Sequence, residues 1–203
     1  MDTLDYILNK YGVRDIKPPV TLNCSRWRTI PRLFRRLGFT TGAEIGVWRG
    51  YFSRFLIKDN PELKLYSIDA WIAYGDPTAD FDQETMDRYY LETKNRLKPY
   101  NCKVIRAWST KAAKRFKDES LDFVYIDANH DYESAKEDIA AWHPKVRKGG
   151  IVSGHDYVNG LFTSKYNLSF GVIEAVNEWV SENNINNLFV LDKEDAPSWM
   201  YVK

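Results

Sequence analysis

From residue 42 onward, short β-rich runs alternate with stretches of helical spacing, and this alternation limits the fold more than any other feature of the chain. The strongest run spans residues 121–127 and is apolar on both faces, as a central parallel strand requires. Similar runs begin near residues 43, 64, 103, 151, 188 and 199. Because strand–helix units repeat, the strands can form one parallel sheet with helices on both faces. The sequence therefore predicts an α/β, doubly wound fold.

Composition supports a single folded domain of this kind. The 203 residues are 44% hydrophobic and carry a net charge of +1, whereas disordered chains combine few apolar residues with strong net charge. A chain of this length buries about 70% of the surface that it exposes when unfolded, which is enough for one core. We therefore expect one domain over residues 1–203.

Three further features concern the cellular setting. No apolar run approaches the roughly 20 residues that a membrane-spanning helix needs, and the N-terminus lacks the basic and apolar segments of a signal peptide. The two cysteines, Cys24 and Cys102, allow at most one bridge. We expect a cytoplasmic protein without a membrane partner, and its oligomeric state is left open.

Polar residues follow four of the predicted strands, at residues 44–50, 69–71, 127–130 and 155–156. In doubly wound sheets, ligands bind at the carboxyl ends of the strands, near the point where the strand order reverses. The residues that could carry chemistry therefore lie where a binding site is expected.

The first cluster contains two glycines, Gly46 and Gly50, that let the backbone approach a ligand closely before a helix begins. Glu44 stands where a dinucleotide-binding fold has its first glycine, and a carboxylate there favours a ligand with an ammonium group over a pyrophosphate. Asp69 ends the next strand, at the distance expected for a carboxylate that binds ribose hydroxyls. The structural alternative is a tight turn followed by a surface aspartate.

These residues resemble a known family. The pattern Glu44-x-Gly-x-x-x-Gly50, together with Asp69, Asp127 and the strand after Gly149-Gly150, resembles the class I S-adenosylmethionine-dependent methyltransferases over about residues 40–203. Residues 122–133 and 149–157 are similar to small bacterial sugar and natural-product O-methyltransferases. The resemblance implies a Rossmann-like, mostly parallel sheet of seven strands with an antiparallel last strand. It places the cofactor-binding core at residues 41–203, and the helical spacing of Ile30, Leu33 and Leu37 predicts a helical covering segment within residues 1–40.

The same resemblance implies S-adenosylmethionine as the cofactor. Glu44, Gly46 and Gly50 would line its methionine end, Asp69 would hold its ribose, and Trp108 and Ser109 would flank its adenine. The full set of implied cofactor contacts is Glu44, Gly46, Val47, Gly50, Asp69, Ala70, Trp108, Ser109 and Asp127.

A divalent metal is an open alternative at Asp127, His155 and Asp156. In metal-dependent O-methyltransferases such as the catechol enzyme, a carboxylate ends the fourth strand and an Asp-Asn or Asp-Asp pair ends the fifth. Asp127 matches the first position, but the pair here reads His155-Asp156. Magnesium prefers oxygen ligands, and an imidazole shifts the preference toward manganese, iron or zinc. Without a metal, Asp127 and Asp156 would hydrogen-bond cofactor, acceptor and backbone.

His130 is the expected catalytic base, with Asp127 as its catalytic partner in orienting the acceptor. His130 lies where the catechol enzyme carries its base, and a neutral imidazole can take a proton from a hydroxyl as the methyl group is transferred. His155 is the competing base, and a purely structural role is the alternative for both histidines. Two loops, residues 71–83 and 159–169, are expected to shape the acceptor pocket.

The sequence thus predicts O-methylation of a hydroxyl on a small molecule or sugar. Three alternatives stay open: a cofactor-binding module without catalysis, a nicotinamide-dependent oxidoreductase, which Glu44 disfavours, and a nucleic-acid ribose methyltransferase. The last rests on five arginines near Trp27, although Ile30, Leu33 and Leu37 predict a covering helix with a solvated basic side. The arginines are Arg26, Arg28, Arg32, Arg35 and Arg36.

Overall fold

Strands and helices alternate along residues 2–73, 82–158 and 170–203, the part of the chain that the computed structural model describes. The strands are β1 (Val20–Leu22), β2 (Thr41–Ile45), β3 (Lys64–Asp69), β4 (Cys102–Arg106), β5 (Leu121–Ile126), β6 (Val146–Gly154), β7 (Phe189–Leu191) and β8 (Ser198–Val202). The helices are α1 (Thr3–Tyr11), α2 (Arg26–Arg36), α3 (Tyr51–Lys58), α4 (Gln83–Leu97), α5 (Ser109–Ala113), α6 (Tyr132–Trp142) and α7 (Val172–Glu182). A short 3-10 helix, His143–Lys145, follows α6.

The strands form one sheet in the order β1-β7-β8-β6-β5-β2-β3-β4. All neighbours are parallel except the pairs that involve β8, which runs antiparallel to β6 and β7. The strand order reverses at β2, which lies between β5 and β3. The expected Rossmann-like α/β architecture with an antiparallel last strand is confirmed.

The N-terminal segment differs from the expectation, because it adds an eighth strand to the sheet. β1 pairs in parallel with β7, with Val20 opposite Phe189 and Leu22 opposite Leu191. Residues 1–40 therefore do more than cover the sheet with helices. Three residues are too few to show an alternating pattern, and the partner strand that makes them a strand comes near the other end of the chain.

β6 also begins earlier than predicted, at Val146 rather than near residue 151. The sequence pattern places the strand after Gly149 and Gly150, but both glycines lie inside it. The pairing with β5 shifts register between Leu121 and Phe123. At Gly150 an added Cβ would lie 2.5 Å from the carbonyl oxygen of Asp122, so the close approach at this irregularity requires glycine.

The alternation of side chains along β5 divides the core into two layers. Val124 and Ile126 pack on one face of the sheet against α5, α6 and α7. Phe123 and Tyr125 pack on the other face against α1, α2 and α3. In α2, Ile30, Pro31, Leu33 and Phe34 are buried, and the ring of Phe34 stacks on Phe123 at 4.0 Å. None of the helices in the described ranges combines the length and apolar character needed to cross a bilayer.

Candidate active site

The carboxyl ends of β2, β3, β5 and β6 meet at one edge of the sheet. Ile45 pairs with both Ile68 and Ile126, and Ile126 pairs with Gly154. The four polar clusters noted in the sequence follow these strands, so the fold places them at a common edge. This edge includes the reversal of strand order, where doubly wound sheets bind ligands.

Glu44 lies inside the sheet, one residue before the end of β2, and is almost fully buried. Ser53 Oγ on α3 donates a hydrogen bond to Glu44 Oε2 and lies 2.8 Å from Ser67 Oγ on β3. Within the described residues, no basic side chain forms an ion pair with Glu44. Burial therefore raises the pKa of Glu44 from 4.5 to about 8. The charge of Arg26 also acts on this carboxyl, but it forms no ion pair with it and does not offset the effect of burial.

The loop after β2 passes directly against the end of β5. Gly46 has φ +81, and an added Cβ would lie 1.9 Å from the carbonyl oxygen of Asp127. Gly50 has φ +73 and directly precedes α3. Both glycines are thus required by the backbone itself, whatever ligand the loop holds.

The Asp69 carboxylate accepts hydrogen bonds from the loops that follow β2 and β3. Oδ2 accepts hydrogen bonds from the backbone N–H groups of Val47 at 2.8 Å and Trp48 at 2.9 Å. Oδ1 accepts from the N–H of Trp71 at 2.8 Å. A carboxylate accepts about four hydrogen bonds, so these three contacts leave room for one ribose hydroxyl on Oδ1. Asp69 therefore shapes the loop in addition to any contact with a ligand.

Ala70, Trp108 and Ser109 lie beyond the ends of the neighbouring strands β3 and β4. The carbonyl oxygen of Ala70 accepts from Arg106 Nε at 3.3 Å. Ser109 Oγ accepts from Trp142 Nε1 at 2.9 Å, so this hydroxyl binds α6 rather than facing outward. Trp108 is 41% exposed and is the one large apolar surface of the three that an adenine could cover.

Four side chains, Asp127, His130, His155 and Asp156, form a compact group that we call the acid–imidazole cluster. The Nδ1 atoms of His130 and His155 each lie 3.1 Å from Asp156 Oδ2. His155 Nδ1 also lies 3.6 Å from Asp127 Oδ1. The cluster contains the sequence-predicted base, its competitor and both candidate carboxylates.

The position of His130 is set by the start of α6. Asp131 Oδ1 accepts from the N–H of Ser134 at 2.9 Å and so caps this helix directly after His130. The carbonyl oxygen of His130 accepts from the N–H of Gly171 at 2.9 Å. Its ring stacks on Phe170, with centroids 5.1 Å apart and planes 4° apart. These contacts hold the imidazole at the sheet edge.

Asp156 is a largely buried carboxylate in an unusual backbone position, with φ +57. Burial pushes its pKa upward, but the interaction with His155 and the charges of His130, His155 and Arg26 outweigh that effect and lower the pKa of Asp156. A carboxylate that stays ionised beside two imidazoles can hold a proton on the nearest nitrogen of each ring.

Arg26 is the site residue that sequence reasoning misassigned. Its Nη1 donates to Asp127 Oδ2 and to the Tyr125 hydroxyl, each at 2.9 Å. Arg26 therefore does not belong with the other four arginines of α2, whose side chains are exposed. The helical spacing could have indicated this role. Residues 26, 30, 33 and 37 lie on one face of the helix, and the other three residues of that face are apolar.

A divalent metal fits the acid–imidazole cluster by size but not by charge. Ligand atoms of Asp127, His130 and Asp156 lie within 4.8 Å of one another. However, Asp127 is already paired with the Arg26 guanidinium. A divalent cation here would have to share the Asp127 carboxylate with that guanidinium, and like charges a few ångströms apart repel. The cluster therefore does not suit a resident divalent cation.

A family model described as a methyltransferase domain matches residues 43–157, more than half of the chain. The chain belongs to this methyltransferase family. The matched range contains Glu44, Asp69 and the whole acid–imidazole cluster. No curated protein sequence matches this methyltransferase.

Solved structures show the same fold. The O-methyltransferase TomG from Streptomyces achromogenes is 14% identical, with a TM-score of 0.63 over 100% of this chain and 90% of that chain. An O-methyltransferase from Bacillus cereus is also 14% identical, with a TM-score of 0.61 over 100% of this chain and 91% of its own. The N-methyltransferase NodS from Bradyrhizobium japonicum is 16% identical, with a TM-score of 0.55 over 90% and 99% of the two chains. At these identities the likeness concerns the fold alone.

The methyltransferase resemblance is confirmed at the level of family and fold, while the roles of individual residues remain predictions. The two loops expected to shape the acceptor pocket lie mostly outside the described residues, at 74–81 and 159–169. The described part of the site therefore comprises the loop of Gly46, Asp69, the acid–imidazole cluster and Arg26.

Proposed function

We propose that this methyltransferase uses S-adenosylmethionine to methylate a hydroxyl group of a small molecule or sugar. The observation that carries the proposal is the His130–Asp156 pair, an imidazole held by an ionised carboxylate at the edge where the strand order reverses. Such a pair can accept a proton from a hydroxyl. The two neighbouring structures named as O-methyltransferases were solved with S-adenosylmethionine or its demethylated product bound, which supports the same cofactor here.

The residues present suit this cofactor. Glu44 is a buried carboxyl without an ion-pair partner, and the ammonium group of the methionine end would supply one. Asp69 Oδ1 retains capacity for a ribose hydroxyl. Gly46 lets the backbone follow the end of β5 closely, and half-exposed Trp108 offers a face for adenine. Val47, Gly50, Ala70 and Ser109 would contribute backbone around these groups.

When bound, S-adenosylmethionine supplies a methyl group on a positively charged sulfur, which leaves as a neutral thioether. His130 Nδ1 lies 3.1 Å from Asp156 Oδ2. An ionised carboxylate there would favour the tautomer with its proton on Nδ1, which leaves Nε2 to accept the hydroxyl proton. The hydroxyl oxygen forms the new bond to the methyl carbon as its proton passes to Nε2, and the imidazolium later releases that proton to water. Asp127 would orient the acceptor, and most of the rate would come from positioning the two partners.

The experiment that tests this proposal compares His130→Ala with Asn129→Ala, a substitution at the exposed neighbouring residue. His130→Ala is expected to bind S-adenosylmethionine as the wild type does, measured by calorimetry. Its rate of S-adenosylhomocysteine formation with a panel of hydroxylated acceptors should fall by about 10²–10⁴-fold, the usual contribution of a general base. Asn129→Ala should keep its rate.

Near-normal turnover by His130→Ala would remove this residue from the mechanism. Binding of the cofactor without product from any acceptor would instead favour the non-catalytic module. Tight binding of a nicotinamide cofactor without S-adenosylmethionine binding would favour the oxidoreductase. The cytoplasmic location expected from the sequence stays a prediction.

One observation favours a second candidate acceptor, the ribose of a nucleic acid. Arg28, Arg32, Arg35 and Arg36 are all exposed on α2 and could contact phosphates. RNA binding that weakens steeply with salt and disappears when Arg32, Arg35 and Arg36 are neutralised would support it. Salt-independent or absent RNA binding would leave these arginines as the solvated side of the helix.

A further inference from the structure

We propose that the guanidinium of Arg26 supplies, beside Asp127, the fixed positive charge that a divalent ion supplies in metal-dependent O-methyltransferases, so that this enzyme transfers its methyl group without a metal. The inference rests on the proposed methyl transfer for its catalytic part. Its binding part, the exclusion of a divalent cation from the acid–imidazole cluster, depends only on the contacts of the side chains.

Arg26 is held from several sides. Nη1 donates to Asp127 Oδ2 and to the Tyr125 hydroxyl, and Nε lies 3.3 Å from Glu194 Oε2 as an ion pair without hydrogen-bond geometry. The guanidinium carbon lies 4.8 Å from the ring centre of Trp27 and 5.0 Å from that of Phe52. Only 12% of the side chain is exposed. A charge held in this way keeps its place beside Asp127.

The backbone at the start of α2 is fixed as well. Ser25 Oγ and the N–H of Arg26 both donate to Glu194 Oε1, at 2.6 and 2.7 Å. The Tyr125 hydroxyl lies 2.9 Å from Ser198 Oγ on β8. The N-terminal segment is therefore tied to the segment around β7 and β8, and this connection sets where the guanidinium sits.

This arrangement opposes a divalent cation at the cluster. An arginine side chain stays protonated at all ordinary pH values, so the positive charge beside Asp127 cannot be removed by titration. A second cation on Asp127 would lie within a few ångströms of the guanidinium in a partly buried setting, where like charges repel strongly. Rotation of Arg26 out of the site would break its contacts with Tyr125, Asp127 and Glu194 together.

The same guanidinium can act on the acceptor. Among the described residues, no atom accepts a hydrogen bond from Nη2 of Arg26, and Nη2 is not among the fully buried polar atoms without a partner. Its N–H groups can therefore donate to the acceptor oxygen while His130 takes the proton. Fixed donors aimed at an oxygen that gains negative charge stabilise the transition state.

The test uses the full chain, first treated with EDTA and then desalted. Mn²⁺ is titrated in and its binding measured by calorimetry and by the loss of the free-ion paramagnetic resonance signal. The variants are Arg26→Met, Arg26→Lys and the matched control Arg14→Met, which changes an exposed arginine of the N-terminal segment. Methyl transfer is assayed in parallel, with excess EDTA and with added Mn²⁺.

We expect the wild type, Arg14→Met and Arg26→Lys to bind Mn²⁺ only weakly and Arg26→Met to bind it at least about tenfold more tightly, because only that substitution removes the competing charge. Wild-type turnover should be the same with EDTA and with Mn²⁺. Arg26→Met should lose turnover by at least about tenfold, and Mn²⁺ should restore part of that loss.

Stoichiometric, tight Mn²⁺ binding by the wild type would overturn the proposal, as would wild-type turnover that EDTA abolishes and Mn²⁺ restores. Equal Mn²⁺ affinities of the wild type and a folded Arg26→Met would also contradict it. If Arg26→Met does not fold, the wild-type titration and the EDTA assay still decide. If no acceptor is ever methylated, the proposed function fails, whereas the Mn²⁺ titrations still decide whether Arg26 excludes a cation.

Discussion

The buried Glu44 carboxyl makes folding depend on pH in a direction opposite to that of most acidic residues. Its pKa in the folded chain, about 8, lies above its ordinary value of 4.5. Between these two values the folded state binds the proton that the unfolded state has already released. The free energy of unfolding contributed by Glu44 is therefore largest below pH 4.5 and decreases as the pH rises toward 8.

Glu44→Gln should make the free energy of unfolding less dependent on pH between about 4.5 and 8, because an amide does not ionise. The measurement is chemical denaturation at several pH values across the window. Asp138, whose pKa burial raises to about 6, contributes to the slope in both proteins, so the difference between the two profiles isolates Glu44. In the wild type, added S-adenosylmethionine should make the free energy of unfolding fall less steeply with pH, because its ammonium group would favour the ionised Glu44 carboxyl. An unchanged slope in Glu44→Gln would show that the carboxyl is not desolvated as described.

Gly46 and Gly38 give a matched pair for backbone strain and close approach. Both have φ near +70 to +80, but an added Cβ meets the Asp127 carbonyl at 1.9 Å at Gly46 and nothing within 4 Å at Gly38. Gly38→Ala should lower the free energy of unfolding by about 1–2 kcal/mol, the cost of the left-handed backbone. Gly46→Ala should add the cost of the clash, about 1–3 kcal/mol more. Denaturant titration would measure both, and equal losses would contradict the close contact.

At the scale of single residues, the sequence indicated where the chemistry lies but not how each side chain is used. Strand ends and glycine spacing pointed to Glu44, Asp69 and the acid–imidazole cluster. The pairing of Arg26 with Asp127 could not be predicted in this way, because it joins residues 101 positions apart through the packing of α2 on the sheet. Charge alone grouped Arg26 with its exposed neighbours.

Among the elements, α2 is the one whose two sides differ most. Leu33 is fully buried between the sheet and the helices α1 and α3, whereas Arg32 beside it is exposed. Leu33→Ala should lower the free energy of unfolding by about 2–5 kcal/mol, because it leaves a cavity in the core. Arg32→Ala should change it by less than about 0.5 kcal/mol. Thermal melts of the two variants provide the comparison, and a small effect of Leu33→Ala would mean that α2 is only loosely attached.

Elements with a long or two-sided pattern were the easiest to predict. β3 begins at Lys64 and β5 at Leu121, where the sequence pattern predicts these strands. β1 and the first residues of β6 were missed for a shared reason. Each depends on a partner strand or an irregular register rather than on its own periodicity.

For the whole molecule, the mostly parallel sheet followed from the repeated strand–helix units more than from any single motif, whereas the order of its strands was not predicted. Repeated strand–helix units imply parallel neighbours, and the resemblance supplied the antiparallel β8. The sequence did not predict that residues 1–40 contribute a strand to the sheet and an arginine to the site. Composition showed a neutral chain, and only the packed structure separates Arg26, whose side chain is largely covered, from four exposed arginines.

The contact between Ser25 and Glu194 joins residues 169 positions apart, and β1 pairs with β7 over a similar span. A ribosome makes residues 20–36 early, yet these residues have neither a partner strand nor the Glu194 anchor until nearly all of the described chain has been synthesised. The central strands can pair with one another long before that point. Arg26 would therefore be among the last residues of the site to reach its place, after the strand ends that carry Glu44, Asp69 and Asp127 have come together.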